Sequence, residues 1–94
     1  MKNSNIIHSP NKQLLTLALN DNDVAFIEYQ LKNEVYYLTH SEVPTNLRGQ
    51  GIGRKLVQKT FDYLKLNNLQ AKAICTYIRK VVGRNPEWQT SISL

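Results

Sequence analysis

The chain has 94 residues, with 12 Lys and Arg against seven Asp and Glu, which gives a formal net charge of +5. Hydrophobic residues make up 41% of the chain and charged residues 20%, which excludes a compositionally disordered protein and leaves room for one modest core. We therefore expect one domain over residues 1–94, without a membrane-spanning segment and located in the cytoplasm. A single cysteine excludes an internal disulfide, and with only two histidines we expect no metal site.

The charges are divided unevenly along the chain. Residues 1–47 carry three Lys against five Asp and Glu, whereas residues 48–94 carry nine Lys and Arg against two acidic residues. A basic excess favours an anionic partner, such as a nucleic acid, a membrane surface or a phosphorylated small molecule. The charge pattern therefore predicts that such a partner meets the second half of the chain.

The first half of the sequence is predicted to form β-strands. Runs of apolar, β-branched and aromatic residues predict strands over residues 13–19, 24–31 and 34–43. Polar turn residues separate these runs at 20–23 and 32–33, and Pro44 ends the third one. Because the connections are short, the three strands are expected to form an antiparallel meander.

The hydrophobic period changes in the second half. Apolar residues recur at spacings of three and four from about Gly51 to Leu66, which predicts an amphipathic helix. A strand over residues 69–76 and a short helix over 77–82 are predicted next, whereas the tail that ends at Leu94 has no clear signal. The predicted fold class is α+β.

The segment from Arg48 to Arg54 places three glycines at alternate positions where the predicted helix begins. Glycine permits positive φ and removes the Cβ that would hold a ligand away from the backbone. The first amides of a helix have no intrahelical acceptor, so a phosphate can accept their hydrogen bonds. Arg54 occupies the last glycine position of a dinucleotide-binding G-x-G-x-x-G motif, and no Ser or Thr follows Lys55 as a Walker loop requires.

The pattern Arg48-x-x-Gly51-x-Gly53, between a strand and a helix, resembles the pyrophosphate signature of the GNAT acetyltransferase superfamily. Over residues 38–88 the chain is most similar to a group of very short GNAT-like N-acetyltransferases, which share a Cys-containing segment like Cys75–Ile78 and an Asn-Pro-Glu-aromatic segment like Asn85–Trp88. The resemblance implies a minimal GNAT-like fold, in which a three-stranded antiparallel meander with a splayed last strand precedes a coenzyme-binding helix, a further strand and a short C-terminal helix.

The resemblance also implies acetyl-CoA as cosubstrate, with no metal. The diphosphate is expected on the amides of residues 50–54, the pantetheine arm along the end of the third strand, and the adenosine phosphates near basic residues such as Arg84. The implied coenzyme contacts are Ser41, Val43, Arg48, Gly49, Gln50, Gly51, Ile52, Gly53, Arg54, Arg79 and Lys80.

Three side chains are candidates for the chemistry. His40 and Glu42 are two residues apart and are expected on one strand face, together with Tyr36 and Leu38, where either is a candidate base for an amine. Cys75 lies between a predicted strand and a predicted helix. It is a candidate nucleophile that would accept the acetyl group from the coenzyme and then pass it to the amine. The structural alternatives are an exposed carboxylate, a hydrogen-bonded histidine and an inert strand cysteine.

The leading functional hypothesis is an acetyl-CoA-dependent N-acyltransferase that acts on an unidentified amine, a small molecule or a protein. Two alternatives are a basic nucleic-acid-binding module, whose aromatic residues do not form an RNA-stacking motif, and a non-catalytic acetyl-CoA sensor of the same fold. The chain lacks the helical segment that larger superfamily members place after their first strand, and their late tyrosine has no clear counterpart.

Overall fold

A six-stranded sheet and two α-helices form the described part of the chain, residues 6–20 and 22–94 of a computed structural model. In chain order the elements are β1 (Ile6–Ser9), β2 (Leu14–Ala18), β3 (Val24–Lys32), β4 (Val35–Glu42), α1 (Ile52–Leu66), β5 (Gln70–Ala73), α2 (Thr76–Gly83) and β6 (Ile92–Ser93). Short 3-10 turns span Pro10–Lys12, Thr45–Leu47 and Pro86–Thr90. None of the helices within these residues has the length and apolar character that crossing a membrane requires.

The strand order in the sheet follows the chain from β1 to β6. Strands β1 to β4 pair antiparallel, whereas β4–β5 and β5–β6 pair in parallel. The predicted α+β class and the antiparallel meander are confirmed. The strands β1 and β6 were not predicted, because runs of four and two residues are too short to display a period of their own.

Both helices lie on the same face of the sheet. Parallel strand crossovers are almost always right-handed, so two successive crossovers in the same direction along a sheet place both helices on one side. Accordingly, α1 contacts α2, and the buried strand residues alternate with exposed ones. The core that results includes Leu15, Leu17, Ala25, Ile27, Leu38, Leu56, Val57, Leu64, Ile78, Val82 and Ile92. The opposite face of the sheet is not covered by any described helix.

Strand β4 contains a bulge in its pairing with β3. Tyr29 pairs with Leu38 and Glu28 with His40, so Thr39 is an extra residue without a partner on β3. A bulge of this kind shifts the alternation of side chains along the bulged strand. The two ends of β4 are therefore out of phase with each other.

The bulge changes which residues of β4 share a face. Ser41 lies on the helix-packed face with Leu38, because its partner on β3 belongs to the buried row. His40 and Glu42 lie together on the uncovered face, as predicted. The prediction that Tyr36 and Leu38 share their face was wrong, because the extra residue lies between them.

The end of β4 is splayed away from β5. Pairing between the two strands stops at Leu38 and Ala73, and the amides of Ile74 and Cys75 both donate to the carbonyl oxygen of Leu38, at 3.0 and 2.9 Å. Helix α2 begins directly afterwards at Thr76. Beyond Leu38, the backbone of β4 therefore forms no further strand pairing with β5.

A cluster of one histidine and three tyrosines connects β1 to β3, β4 and α1. The His8 Nδ1 atom lies 2.8 Å from the Tyr63 hydroxyl of α1, and its Nε2 atom lies 2.6 Å from the Tyr29 hydroxyl of β3. Tyr36 packs edge-on against the imidazole. A neutral imidazole has one donor and one acceptor nitrogen, so it donates a hydrogen bond to one hydroxyl and accepts a hydrogen bond from the other.

We expect the stability of the protein to fall as the pH decreases below about 6.5, the ordinary pKa of histidine. Burial lowers the pKa of His8 in the folded state, so the unfolded chain takes up the proton more readily. Neutral His8 contributes fully to the free energy of unfolding above the pKa that it has in the unfolded chain. This contribution is lost as the pH falls through the pKa that it has in the folded state. Urea unfolding between about pH 7.5 and 5 measures this effect. His8→Gln, which does not titrate, should flatten the profile, and equal pH profiles for both proteins would contradict the assignment.

Candidate functional site

A groove of about 560 Å³ lies between the end of β4 and the start of α1. Its walls are residues 40–43 of the splayed strand end, residues 47–49, 51–53 and 56 of the glycine-rich turn and helix α1, and Tyr77 of α2. The groove therefore brings together nine of the predicted site residues, which are His40, Ser41, Glu42, Val43, Arg48, Gly49, Gly51, Ile52 and Gly53.

The turn that enters α1 exposes its backbone to this groove. Gly49 and Gly51 have φ angles of +85° and +76°, in the left-handed region that side-chain-bearing residues rarely adopt. A Cβ added at either position would meet no atom within 4 Å, so packing does not require glycine there. Gly51 is the N-cap residue of α1, and no side chain caps this helix.

The amides of residues 49–54 form no hydrogen bond to another residue in the part of the chain that the structure describes. Unpaired amides at a helix start carry the positive end of the helix dipole and are suited to a phosphate. Arg48, which also lines the groove, adds a positive charge beside them. The residues present therefore fit a diphosphate group.

Gly53 is required for a different reason. A Cβ at this position would overlap the hydroxyl end of Tyr77, so glycine allows the tyrosine ring to lie against the first turn of α1. Tyr77 is 41% exposed and forms part of the groove wall. Tyr77 was not among the predicted site residues.

Ser41 and Cys75 contact each other across the splay between β4 and β5. The Ser41 Oγ and Cys75 Sγ atoms are 3.3 Å apart. Burial alone would raise the pKa of the Cys75 thiol, but the Ser41 hydroxyl and nearby backbone amides outweigh burial and hold this pKa below its usual value. The amides of Tyr77 and Ile78 at the start of α2 favour the thiolate, although no side-chain cap hydrogen bond is formed there. Cys75 itself does not line the groove.

Ser41→Ala is expected to raise the pKa of the Cys75 thiol and to slow its alkylation. The variant removes a hydrogen bond that favours the thiolate, and at neutral pH we expect iodoacetamide to react about threefold to tenfold more slowly. The alkylation rate as a function of pH measures both changes. Ser93→Ala is the matched control, because Ser93 donates to Ala71 away from this site. A wild-type pH profile in Ser41→Ala would refute the role of the hydroxyl.

His40 and Glu42 form a pair on the uncovered sheet face at the rim of the groove. The His40 Nε2 and Glu42 Oε1 atoms are 3.4 Å apart, and both side chains are about half exposed, at 51% and 53%. Either side chain could accept a proton from an amine that reaches the groove.

Four predicted coenzyme contacts lie outside the groove wall. The Arg54 guanidinium lies 5.2 Å from the Trp88 ring and donates to Asn85 Oδ1 at 3.0 Å. Arg79 donates to the carbonyl oxygen of Ala73 at 3.2 Å, and its neighbour Lys80 is exposed. The fourth residue, Gln50, lines a separate cavity between the end of β2 and the start of α1. Their contacts with the coenzyme stay predictions.

The Asn85–Trp88 segment has a structural role, and the packing of Trp88 in the core was expected from the sequence. Asn85 Nδ2 donates to the carbonyl oxygen of Val81 near the end of α2, at 2.8 Å. Trp88 is 4% exposed and stacks on Phe61 of α1. Within residues 6–20 and 22–94, no three His, Cys, Asp or Glu side chains are placed to share a metal ion.

Residues 15–91 match the family model of the GCN5-related N-acetyltransferases, and the chain therefore belongs to this family. Relatives include protein NATD1 of Homo sapiens, which is 35% identical over 82 residues that cover 84% of this chain and 72% of that protein. Protein NATD1 of Danio rerio is 34% identical over 85 residues, which cover 87% of this chain and 76% of that protein.

A solved structure supports the fold independently. The solution NMR structure of a GCN5-like protein from Staphylococcus aureus superposes with a TM-score of 0.68, over 98% of this chain and 90% of that chain. The two sequences are 24% identical, so this likeness shows a shared fold. The resemblance to the GNAT superfamily is confirmed.

Proposed function

We propose that this protein is an acetyl-CoA-dependent N-acyltransferase that transfers an acetyl group to a primary amine. The observation that carries the proposal is the uncapped start of α1, where amides near Gly51 open into a groove that leads to the splayed end of β4. Membership of the GCN5-related N-acetyltransferase family supports the same conclusion. The family match and this groove also favour a coenzyme over a nucleic acid as the anionic partner.

The residues of the groove have separate roles in this proposal. The amides after Arg48 bind the diphosphate of the coenzyme, with the guanidinium beside them. The end of β4, which does not pair with β5, binds the pantetheine arm as an additional strand would bind, and thus directs the thioester towards Ser41. Leu56 and Ile52 provide an apolar wall.

Acetyl-CoA supplies an acetyl group activated as a thioester. Transfer forms a C–N bond to the amine and breaks the C–S bond, so the amine gives up a proton and the coenzyme leaves as a thiol. His40, paired with Glu42, accepts the proton at its imidazole, because both residues line the groove. Direct transfer is favoured over an acetylated Cys75, because the thiol lies outside the groove wall.

Calorimetric titration with coenzyme A and with pantetheine tests the binding site. We expect coenzyme A to bind with a dissociation constant on the order of 1–100 μM, and pantetheine, which lacks the diphosphate, to bind at least about tenfold more weakly. Equal affinities would remove the diphosphate site from the proposal. No binding of either ligand, together with a salt-dependent gel shift on DNA or RNA, would favour the nucleic-acid alternative.

Intact mass measurement after incubation with acetyl-CoA separates the two transfer routes. Direct transfer predicts acetylated amine product and no gain in mass for either the wild type or Cys75→Ala. An added acetyl group that peptide mapping places on Cys75 would establish the covalent route instead. Coenzyme binding without any transfer to a panel of amines would identify a non-catalytic sensor.

A further inference from the structure

One side chain in the wall of the groove extends along most of the path proposed for the coenzyme. Tyr77 is the second residue of α2, and its backbone lies next to the splay where Cys75 contacts Ser41. Its hydroxyl end lies against Gly53 in the first turn of α1. The side chain is exposed and lines the groove. Tyr77 therefore connects the proposed thioester end of the groove to the proposed diphosphate end.

The phenol lies close to α1 because position 53 has no side chain. A Cβ at this position would overlap the hydroxyl oxygen and two ring carbons of Tyr77. The amides of Gly53 and Arg54 belong to the uncapped start of α1, where the described residues provide no acceptor for them. The hydroxyl of Tyr77 therefore lies beside the amides that are suited to a phosphate.

The hydroxyl of Tyr77 is available to a ligand. It forms no side-chain hydrogen bond in the described part of the chain, whereas the hydroxyls of Tyr29 and Tyr63 both contact His8. A phenol hydroxyl donates one hydrogen bond, and phosphate oxygens are strong acceptors of such bonds. A hydrogen bond from Tyr77 to a phosphate would therefore replace a bond to water with a charge-assisted one.

Few other side chains of the groove can donate to a phosphate. The wall residues with side-chain donors are His40, Ser41, Arg48 and Tyr77. The imidazole pairs with a carboxylate at the rim, and the Ser41 hydroxyl contacts a thiol at the splay. Arg48 and Tyr77 remain, and they come from different elements, since Arg48 precedes α1 and Tyr77 begins α2.

We propose that Tyr77 is a coenzyme-binding residue, whose hydroxyl donates to the diphosphate while its ring packs along the pantetheine arm. This inference rests on the proposed N-acyltransferase function and adds a residue of α2 to its binding site. The backbone of α1 binds the diphosphate through amides, and α2 adds a side-chain donor to the same group. In this arrangement Gly53 is needed because it makes room for the phenol.

Tyr77→Phe tests the hydroxyl alone. Calorimetric titration should show coenzyme A binding about tenfold more weakly, because one hydrogen bond to a charged group is lost. Pantetheine, which has no diphosphate, should bind within about twofold of its wild-type affinity. Tyr37→Phe is the matched control, because Tyr37 pairs with Gln30 and Lys72 away from the groove and should not change either affinity.

Two outcomes of this titration would overturn the hydroxyl contact. Wild-type affinity for coenzyme A in Tyr77→Phe would show that the hydroxyl does not meet the coenzyme. An equal loss for coenzyme A and for pantetheine would place the hydroxyl on the arm instead of the diphosphate.

Tyr77→Ala tests the ring. This variant removes the apolar surface as well as the hydroxyl, so pantetheine should also bind more weakly, by about fivefold. Circular dichroism reports whether the variant is folded, and Tyr77→Phe keeps the ring in place if it is not. Unchanged pantetheine binding by folded Tyr77→Ala would refute the contact between the ring and the arm.

Gly53→Ala tests the position of the phenol through its neighbour. The added methyl group displaces the ring, so coenzyme A should bind at least about tenfold more weakly. In a Tyr77→Ala background the overlap is absent, and the same substitution should change the affinity by less than about twofold. Equal losses in the two backgrounds would show that Gly53 does not act through Tyr77.

Inorganic pyrophosphate separates this proposal from the proposed function. Titration followed by phosphorus NMR should show binding to the wild type in the millimolar range, and about threefold to tenfold weaker binding to Tyr77→Phe. If coenzyme A does not bind but pyrophosphate shows this dependence, the N-acyltransferase proposal fails while the phenol remains an anion ligand. If coenzyme A binds and neither ligand responds to Tyr77→Phe, the role of Tyr77 is wrong while the coenzyme site stands. If neither ligand binds, both proposals fail.

Discussion

Gly51→Trp is expected to abolish coenzyme A binding while the protein remains folded. A Cβ atom added at position 51 would meet no other atom of the protein within 4 Å, because this position faces open space at the groove. The φ angle of +76° costs a side-chain-bearing residue about 1–2 kcal/mol, which a folded domain of this size tolerates. The indole would cover the amides that the diphosphate needs. Losing two charge-assisted hydrogen bonds weakens binding by roughly 100-fold or more.

Matched variants separate the loss of the binding site from the loss of the fold. Gly83→Trp places the same side chain at the end of α2, where an added Cβ also meets nothing within 4 Å, and should bind coenzyme A normally. Gly51→Asn, whose side chain tolerates the left-handed conformation, should reduce affinity to an intermediate value. Titration calorimetry gives the affinities, and circular dichroism reports the fold. Normal binding by Gly51→Trp would rule out the amides of α1 as the diphosphate site.

Trp88→Ala is expected to be the most destabilising single substitution considered, with a loss of about 3–5 kcal/mol in the free energy of unfolding. The indole is 4% exposed and stacks on Phe61, with ring centroids 6.0 Å apart, while the Arg54 guanidinium lies 5.2 Å from its ring. Removing it leaves a cavity between α1 and the segment that follows α2. A domain of this length has a total stability of roughly 5–14 kcal/mol, so the loss is a large share of it.

Urea unfolding at neutral pH measures this loss against a conservative variant. Trp88→Phe keeps an aromatic ring against Phe61 and should lose less than about half as much as the alanine variant. A loss below about 1 kcal/mol for Trp88→Ala would show that the indole does not contribute to the core.

The main elements were predictable from the sequence because each has a clear hydrophobic period or turn signal. Helix α1, predicted from about Gly51 to Leu66, spans Ile52–Leu66, and the meander was expected with nearly the observed bounds. Strand β6 lies within a tail that has no hydrophobic period, and its place beside β5 depends on the helical crossover through α2. Such pairing is set by tertiary packing and not by local pattern.

The site was predictable where backbone conformation defines it and was not predictable where side chains meet across elements. Glycines mark the exposed start of α1 directly in the sequence. The bulge at Thr39 leaves no such mark, so the position of Ser41 on the helix-packed face, and its contact with Cys75, follow only from the register of β4. The guanidinium of Arg54 lies over Trp88 because the chain after α2 folds back, a contact that no local sequence pattern indicates.

The sequential order of the six strands has a consequence for synthesis on the ribosome. Because each new strand joins the edge left by the previous one, no segment has to insert between two strands that are already paired. The meander can close while residues beyond Glu42 are still inside the exit tunnel, and the two crossover units then extend it by addition at one side. Vectorial growth of this kind never requires a completed pairing to be undone.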